Sequence, residues 1–268
     1  MAGNVNPRTA VVTGASQGLG AAVADAYRAA GLDVLGCGPR GPDAASQVEP
    51  RSGGRGALYE IGCDITLPDS IDRTWAAAAA IFGTVDLWIN NAGLALTGAS
   101  LANLPAEDFH RMVEINLIGT MNACRVAIAG MDAQGRGGIW NMLGAGWDGT
   151  PVAGMNGYAT TKAALTFMTR ALASEANGCG YTVGAISPGL VMTEGFFRED
   201  RHVAAADRAA RDTVINIIGD HPETIADWIV AETSRAHENG ETLVWLTPEK
   251  IAERRAQQPP REILSRYR

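Results

Sequence analysis

The 268-residue sequence contains only four cysteines and four histidines, and neither set forms a metal-binding pattern. Cys37, Cys63, Cys124 and Cys179 lie far apart with no CxxC pair, so a thiolate zinc site is not indicated. The histidines likewise show no metal-ligand spacing. We therefore predict no metal, and we expect the cysteines to be buried thiols in a reducing compartment.

Long apolar runs and an excess of positive charge are also absent. No run approaches the roughly 18 residues that a helix needs to cross a bilayer, and residues 1–8 lack the apolar core of a signal peptide. The 22 Lys and Arg against 29 Asp and Glu give a net charge of -7, which disfavours nucleic acid and anionic membranes as partners. We expect a cytoplasmic protein with one domain over residues 1–268.

A glycine-rich turn lies near the start of the chain, at residues 13–20. It follows a short apolar run and precedes a segment with apolar residues at helical spacing, which predicts a strand, a turn and a helix. Glycine lets the backbone approach a pyrophosphate, and the first turn of a helix presents free N–H groups to it. The turn is a candidate nucleotide site, with packing as the alternative reason for its glycines. Its TGxxxGxG spacing resembles the cofactor turn of the short-chain dehydrogenase/reductase family.

A Tyr-x-x-x-Lys pair opens a helix that is predicted to run to residue 176. Tyr158 and Lys162 are four residues apart, so both side chains lie on one helix face. An ammonium beside a phenol lowers the pKa of the tyrosine toward the working pH, which suits proton transfer. Such pairs also occur by chance on helix surfaces. Downstream of the glycine turn and of Asn-Asn-Ala-Gly at residues 90–93, this pair predicts a catalytic acid/base.

Together with a Pro188-Gly189 segment after the sixth predicted strand, these motifs resemble the short-chain dehydrogenase/reductase family over nearly the whole chain. The resemblance implies a single-domain α/β fold of Rossmann type, a doubly wound parallel sheet of about seven strands with helices on both faces. It implies hydride transfer in which Tyr158 is the general acid/base, Lys162 tunes it and binds the nicotinamide ribose, and Asn116 holds a water of the proton relay. It also implies cofactor contacts, besides Tyr158 and Lys162, from Gly14, Ser16, Gln17, Gly18, Leu19, Gly20, Asp64, Ile65, Asn91, Ala92, Gly93, Pro188, Gly189, Val191 and Thr193.

The loop after the second predicted strand bears on the choice between NAD and NADP. An acidic residue at this strand end binds the ribose 2′-hydroxyl of NAD, whereas an arginine accommodates the 2′-phosphate of NADP. Residues 36–40 contain no acid, and Arg40 is present. A solvated loop arginine is the alternative, because Gln17 does not supply a second basic group in the glycine turn. We predict NADP, with NAD as the other candidate.

One element of the family pattern is missing. Family members usually carry a serine just after the fifth strand that hydrogen-bonds the substrate oxygen, but residues 143–146 read Leu-Gly-Ala-Gly. Either Asp148, Thr150, Asn156 or the loop backbone supplies the donor, or the protein performs little carbonyl reduction. We predict that the site stays active.

The substrate side is predicted to favour a bulky apolar compound. The residues expected to line it are Gly144, Trp147, Met155, Phe196 and Phe197, and residues 194–212 are expected to form a substrate lid. Residues 141–146, 217–230 and 246–248 resemble the chlorophyll b reductase branch of the family, whose substrate is a large ring with a formyl group.

The sequence thus predicts an oxidoreductase that passes hydride between NADP(H) and a carbonyl or alcohol. A redox-neutral lyase or isomerase using the same tyrosine is one alternative, and a catalytically weak nucleotide-binding protein is another. We expect a homodimer or homotetramer, because the helices that contain Asn116 and Tyr158 are apolar on more than one side. Residues 247–268 are expected to form a helical tail whose arginines face solvent, or less simply an oligomer contact.

Overall fold

A computed structural model describes residues 7–48, 55–199 and 208–267. Within them the strands are β1 (Thr9–Thr13), β2 (Asp33–Gly38), β3 (Ser46–Gln47), β4 (Leu58–Gly62), β5 (Leu87–Asn90), β6 (Gly137–Met142), β7 (Tyr181–Ser187), β8 (Leu190–Val191), β9 (Gly219–Asp220) and β10 (Thr242–Val244). Eight of these strands form the central sheet in the order β10-β7-β6-β5-β1-β2-β4-β3, and β8 pairs separately with β9. The predicted doubly wound parallel sheet is confirmed, with the two-residue β3 added antiparallel at one edge.

The strand order reverses beside β1. The chain moves outward from β1 to β2 and β4, then returns to β5 on the other side of β1 and continues outward to β6, β7 and β10. Because all seven of these strands are parallel, their carboxyl ends share one edge of the sheet. In open parallel sheets a crevice forms at that edge where the order reverses, and ligands bind there.

Helices cover both faces of the sheet. They are α1 (Gly18–Ala29), α2 (Pro68–Phe82), α3 (Ala106–Val113), α4 (Thr120–Gln134), α5 (Asn156–Glu175), α6 (Glu194–Glu199), α7 (Arg208–Ile218), α8 (Pro222–Thr233) and α9 (Pro248–Ala256), with a π-helical segment at Glu114–Gly119 and 3₁₀ turns at Leu101–Asn103 and Ile263–Tyr267. Alternation along β1 shows the two cores. Ala10 and Val12 face the layer of α1 and α8, whereas Val11 faces the layer of α2, α4 and α5.

The helical run that contains Asn116 extends from Ala106 to Gln134. Asn116 and Gly119 interrupt the apolar pattern, but the backbone accommodates them in the π-helical segment between α3 and α4 rather than ending the helix. Gly119 is needed there because a Cβ would lie 2.7 Å from Cγ1 of the buried Ile65.

The tail differs more from its prediction. It is helical only in α9 and in the 3₁₀ turn at Ile263–Tyr267. Arg254 and Arg261 do not face solvent, since both form ion pairs with the buried Asp220, at 2.9 and 2.6 Å. Arg266 is exposed and pairs with Glu223, and residue 268 lies outside the described residues.

The predicted lid is described only in part. Residues 194–199 form α6 and residues 208–212 begin α7, while residues 200–207 lie outside the described residues. Of the four cysteines, Cys37, Cys63 and Cys124 are buried as expected, but Cys179 is exposed.

No helix among the described residues has the length and apolar character needed to cross a bilayer. Over the same residues, no group of three or more His, Cys, Asp or Glu side chains is placed to hold a metal ion.

Candidate active site

The glycine turn between β1 and α1 has a backbone that side chains would not permit. Gly14 and Gly18 have φ angles of 69° and 59°, in the left-handed region. A Cβ on Gly20 would collide with the carbonyl oxygen of Gly14. The N-cap residue of α1, Gln17, makes no side-chain capping bond, so the first N–H groups of the helix face the turn. This cradle of glycines and helix N–H groups fits a dinucleotide pyrophosphate.

Asn91 and Thr13 hold this turn against the end of β5. The side-chain amide of Asn91 donates to the Thr13 carbonyl at 3.0 Å, and the backbone N–H groups of Asn91 and Ala92 donate to Thr13 Oγ1, each at 3.0 Å. A Cβ on Gly14 would lie only 2.7 Å from Ala92 Cα. The Asn-Asn-Ala-Gly motif therefore braces the glycine turn. The predicted site residues did not include Thr13, although it is the first residue of the glycine motif.

Arg40 lies at the end of β2 next to the glycine turn. Its Nη2 donates to Gln17 Oε1 at 2.6 Å, and both side chains are exposed. Ser16 is close by, because a Cβ on Gly38 would contact its hydroxyl. Gln17 brings no charge of its own, but it holds the arginine over the turn.

The next predicted contacts, Asp64 and Ile65, follow β4. The carboxylate of Asp64 accepts from the backbone N–H and hydroxyl of Thr66, at 3.0 and 2.7 Å. The Ile65 side chain is 6% exposed and packs in the core. Any contact that Ile65 makes with a nucleotide is therefore through its backbone.

Tyr158 and Lys162 lie on the first turns of α5, beside the carboxyl end of β6. Lys162 is 4% exposed, and its Nζ donates to the Met142 carbonyl at 2.9 Å. Nζ is 5.6 Å from the centroid of the Tyr158 ring. The helix thus brings the pair together at the predicted edge of the sheet.

The pKa of Tyr158 is not lowered, contrary to the sequence prediction. Burial raises the pKa of Tyr158 to about 12, because the phenolate would lose its hydration. Burial also lowers the pKa of Lys162 to about 8. Nζ is directed at a backbone carbonyl, so desolvation outweighs the attraction between ammonium and phenolate. Tyr158 is a protonated phenol at neutral pH.

Asn116 reaches the same place from the π-helical segment. Its side chain is fully buried, with Oδ1 accepting from Leu94 N–H at 2.7 Å and Nδ2 donating to the Leu94 carbonyl and to Thr161 Oγ1, at 2.8 and 3.0 Å. Both amide hydrogens are used, so this side chain braces α5 and the loop after β5. The water that we predicted Asn116 to hold stays a prediction. Thr161 was missed by sequence reasoning, since an interior helix threonine carries no signal of its own.

The backbone packs closely against the side chains of Asn116, Tyr158 and Lys162 at Gly93 and Gly144. A Cβ on Gly93 would lie 3.3 Å from Asn116 Oδ1 and 3.7 Å from Lys162 Nζ. A Cβ on Gly144 would collide with the Tyr158 hydroxyl and lie 2.9 Å from its Cζ. The hydroxyl of Tyr158 therefore rests against Gly144, within the window of residues 143–146 where the family resemblance predicts a serine.

The side chains considered as replacements for that serine are engaged elsewhere or face outward. Asp148 accepts from the backbone N–H and hydroxyl of Thr150, at 3.0 and 2.9 Å, and Asn156 is exposed. None of the three hydrogen-bonds Tyr158 within the described part of the chain. Over the same residues, the N–H groups of Gly144 and Ala145 make no hydrogen bond, so backbone donors are present at this turn.

The remaining predicted residues form two groups. Trp147 packs with Leu143 and Leu165, and Met155 is half-buried at the start of α5. Phe196 and Phe197 belong to a separate cluster around Met192. Gly189 turns with a φ of 74°, Pro188 precedes it, Val191 lies in β8, and Thr193 Cγ2 would be 3.4 Å from a Cβ on Gly18. Thr193 therefore faces the glycine turn across the crevice.

The family model described as short chain dehydrogenase matches residues 8–203. The chain belongs to the short-chain dehydrogenase family. Members are oxidoreductases that transfer hydride with a nicotinamide dinucleotide, and this short-chain dehydrogenase has the glycine cradle, tyrosine and lysine in one crevice.

Three comparisons place this short-chain dehydrogenase among its relatives. It is 36% identical over 197 residues to an uncharacterized oxidoreductase of Mycobacterium bovis, covering 72% of this chain and 78% of that protein. It is 29% identical to a probable chlorophyll(ide) b reductase, NYC1, of Oryza sativa, covering 91% of this chain and 51% of that protein, so it spans about half of that reductase. Among solved structures, serine dehydrogenase complexed with NADP+ is similar at a TM-score of 0.73 and 27% identity, covering 89% of this chain and 94% of that one. The predicted resemblance to the chlorophyll b reductase branch is confirmed.

Proposed function

We propose that this short-chain dehydrogenase transfers hydride between NADP(H) and the carbonyl or alcohol group of a bulky apolar substrate. The observation that carries the proposal is the placement of the Tyr158 hydroxyl against Gly144, with Lys162 close to the ring and the glycine cradle at the same edge of the sheet, after β1. A proton donor and a nucleotide site thus share one crevice at the strand reversal.

In the reducing direction Tyr158 donates its proton to the carbonyl oxygen. A reduced nicotinamide held in this crevice would supply the hydride for the carbonyl carbon. The proton that Tyr158 gives to the oxygen completes the alcohol and leaves Tyr158 as phenolate. The charge of Lys162, 5.6 Å from the ring, stabilises that phenolate until a proton returns. Burial keeps Tyr158 protonated beforehand, which suits a general acid.

The second donor to the substrate oxygen is a backbone N–H of the turn after β6. Gly144 and Ala145 have N–H groups without partners among the described residues, while Asp148 and Thr150 are bonded to each other. A backbone donor held by a turn acts like an oxyanion hole. Since it needs no side chain at Gly144, it is compatible with the Tyr158 hydroxyl resting against that glycine.

The substrate is proposed to be bulky and apolar. Trp147, Met155, Phe196 and Phe197, the residues predicted to line the substrate side, each offer half-buried apolar surface. The relative NYC1 is named for a chlorophyll(ide), a large apolar ring system. A tetrapyrrole is therefore one bulky apolar compound to test as a substrate.

NADP is the proposed cofactor because Gln17 holds Arg40 over the glycine turn. Its guanidinium is suited to a 2′-phosphate. The serine dehydrogenase to which the chain is similar was solved with NADP+.

The active form is proposed to be a homodimer or homotetramer located in the cytoplasm. Ile118 and Met121, at the junction of the π-helical segment and α4, and Phe167 on α5 are 46, 45 and 76% exposed. Apolar side chains gathered on neighbouring elements favour a partner of the same kind. The four free cysteines agree with a reducing compartment.

Replacing Tyr158 by Phe tests the proposed chemistry. Loss of the proton donor should reduce kcat by about 10²- to 10⁴-fold, while NADPH binding stays near normal because the ring remains. Nicotinamide absorbance followed across a panel of aldehydes and ketones measures turnover, and fluorescence titration measures binding. A variant that keeps a tenth or more of wild-type kcat would exclude Tyr158 as the acid. A wild type that binds NADPH but reduces nothing would favour the nucleotide-binding or redox-neutral alternatives.

A further inference from the structure

The last residues of the described chain pack against the elements that follow the Pro188-Gly189 turn. Arg261 forms an ion pair with Asp220 at 2.6 Å, and Leu264, 6% exposed, is buried against Met192 and Ile215. The backbone N–H of Leu264 also donates to Asn216 Oδ1 at 3.2 Å. The segment of residues 261–267 is therefore a fixed part of this layer, which brings Tyr267 close to the crevice.

The Tyr267 hydroxyl holds the Met192 peptide. It donates to the Met192 carbonyl at 3.2 Å and, with its hydrogen used there, accepts from His221 Nδ1 at 3.0 Å. On the other side, Met192 N–H donates to the Asp220 carbonyl at 2.9 Å. Met192 is 1% exposed, so both of its backbone groups are fixed inside the protein.

This bond bears on the nucleotide crevice through the next residue. Thr193 faces the glycine turn, with its Cγ2 3.4 Å from a Cβ placed on Gly18. The orientation of Thr193 depends on the Met192 carbonyl, since both belong to one peptide plane. Removing the Tyr267 hydroxyl would loosen that plane without removing any residue of the crevice.

The Tyr267 ring has a second contact. It lies against the Phe197 ring at a centroid distance of 4.6 Å, and Phe197 in turn meets Phe196 edge-on at 5.4 Å. The Phe197 N–H donates to the Thr193 carbonyl at 3.2 Å, so α6 begins from the same peptide segment. The ring of Tyr267 thereby supports the Phe196–Phe197 pair.

We infer that Tyr267 is a positioning and specificity-determining residue of the active site. Its hydroxyl orients the Met192–Thr193 peptide toward the glycine turn, where the cofactor is proposed to bind, and its ring supports Phe197, a residue of the proposed substrate side. The claim about Phe197 and substrate size rests on the proposed function. The claim about the Met192–Thr193 peptide depends only on the binding of the dinucleotide.

Two variants separate the hydroxyl from the ring. Tyr267→Phe keeps the stacking on Phe197 and should weaken NADPH binding about three- to tenfold, the effect of one ordinary hydrogen bond, with the preference for large over small carbonyls unchanged. Tyr267→Ala should weaken NADPH binding similarly and also lower kcat/KM for a large aromatic ketone relative to a small aldehyde by about tenfold. Arg266→Gln is the matched control, because Arg266 pairs with Glu223 at the surface and should leave both quantities at wild-type values.

NADPH dissociation constants from fluorescence titration, kcat/KM on the two carbonyls, and thermal unfolding are measured on all four proteins. Variants that lose thermal stability yet keep wild-type affinity and selectivity would overturn the inference, as would an Arg266→Gln variant that behaves like Tyr267→Ala. If the wild type binds NADPH but reduces neither carbonyl, the proposed function fails and the affinity of Tyr267→Phe alone decides the role of the hydroxyl. If the wild type binds no NADPH, both the inference and the proposed function are wrong.

Discussion

Lys162 is a buried amine whose only hydrogen-bond acceptor in the described structure is the Met142 carbonyl. No carboxylate of the described residues balances its charge there, so burial lowers its pKa to about 8. Tyr158, with a pKa raised to about 12, stays protonated well above neutrality. The first group of the site to titrate as pH rises is therefore the lysine, not the tyrosine.

We predict that kcat/KM for carbonyl reduction falls above a pH of about 8 because Lys162 loses its charge. Lys162→Arg keeps the positive charge, since guanidinium titrates above a pH of about 12. The fall in kcat/KM should therefore begin at a higher pH in this variant, even if its kcat/KM is lower than that of the wild type. A pH profile of each protein checks this. A limb that stays at the same pH in the arginine variant would assign the titration to another group.

Stability should move in the opposite direction over the same range. The folded pKa of Lys162 is about 8 and the unfolded value about 10.4, so the unfolded chain binds more protons between them and stability rises with pH in that window. Chemical denaturation of wild type and Lys162→Met at several pH values isolates this contribution, since the rise should be absent from the methionine variant. Falling activity with rising stability would show that the activity limb is not unfolding.

Gly144 is the second residue whose identity decides the site. We predict that Gly144→Ala lowers kcat by tenfold or more, because its Cβ would collide with the Tyr158 hydroxyl and displace the ring, and a shift of about 1 Å can cost 10²-fold in rate. Gly144→Ser has the same Cβ and adds a donor, so it should recover part of the loss on small aldehydes but not on bulky substrates. Steady-state kinetics on both classes compares the two variants. An alanine variant with wild-type kcat would mean that Tyr158 does not act from this position.

Arg40 supplies the basis for choosing between the two nicotinamide dinucleotides. We predict that NADPH binds at least tenfold more tightly than NADH, because the guanidinium can pair with the 2′-phosphate and no acid at residues 36–40 opposes it. Arg40→Ala should remove most of this preference, while NADH affinity stays unchanged. Gln17→Ala is a useful companion, since it removes only the 2.6 Å bond that holds the arginine. Equal affinity of the wild type for both nucleotides would refute the assignment.

At the scale of elements, the sequence predicted the parts whose chemistry is local. The glycine turn, β1, α5 and the Tyr158-Lys162 pair could be read from spacing, because each depends on neighbours within one or two helical turns. The parallel sheet of about seven strands also followed from the motif order through the family resemblance.

The elements that sequence reasoning missed depend on distant contacts. The π-helical segment is set by Leu94 and Thr161, which hold Asn116 inward, and neither residue is near it in sequence. Arg254 and Arg261 look like a solvated surface because the acid that binds them, Asp220, is more than thirty residues away. The prediction that the pKa of Tyr158 is lowered was wrong for a related reason. Helical spacing gives the distance between Tyr158 and Lys162 but not the burial of the two groups.

At the scale of the whole molecule, both described faces of the sheet are covered by helices, yet α4 and α5 still expose apolar side chains. Ile118, Met121 and Phe167 are each close to half exposed or more, and Phe167 is the extreme case at 76%. Single exposed apolar residues are common on monomers, but three on neighbouring elements are better explained by a second copy of the chain.

We therefore predict that Phe167→Asp converts the oligomer to monomers of 28.1 kDa, because an isologous interface would bring two buried carboxylates together. Light scattering at micromolar concentration measures the mass. Leu67→Asp is the matched control, since Leu67 is also exposed, at 56%, but precedes α2 and should leave the assembly intact. A wild type that scatters only as a monomer would refute the oligomer, and dissociation by both variants would move the interface away from Phe167. Because α5 also carries Tyr158 and Lys162, a monomeric Phe167→Asp variant with reduced kcat but normal folding would further show that assembly steadies the catalytic helix.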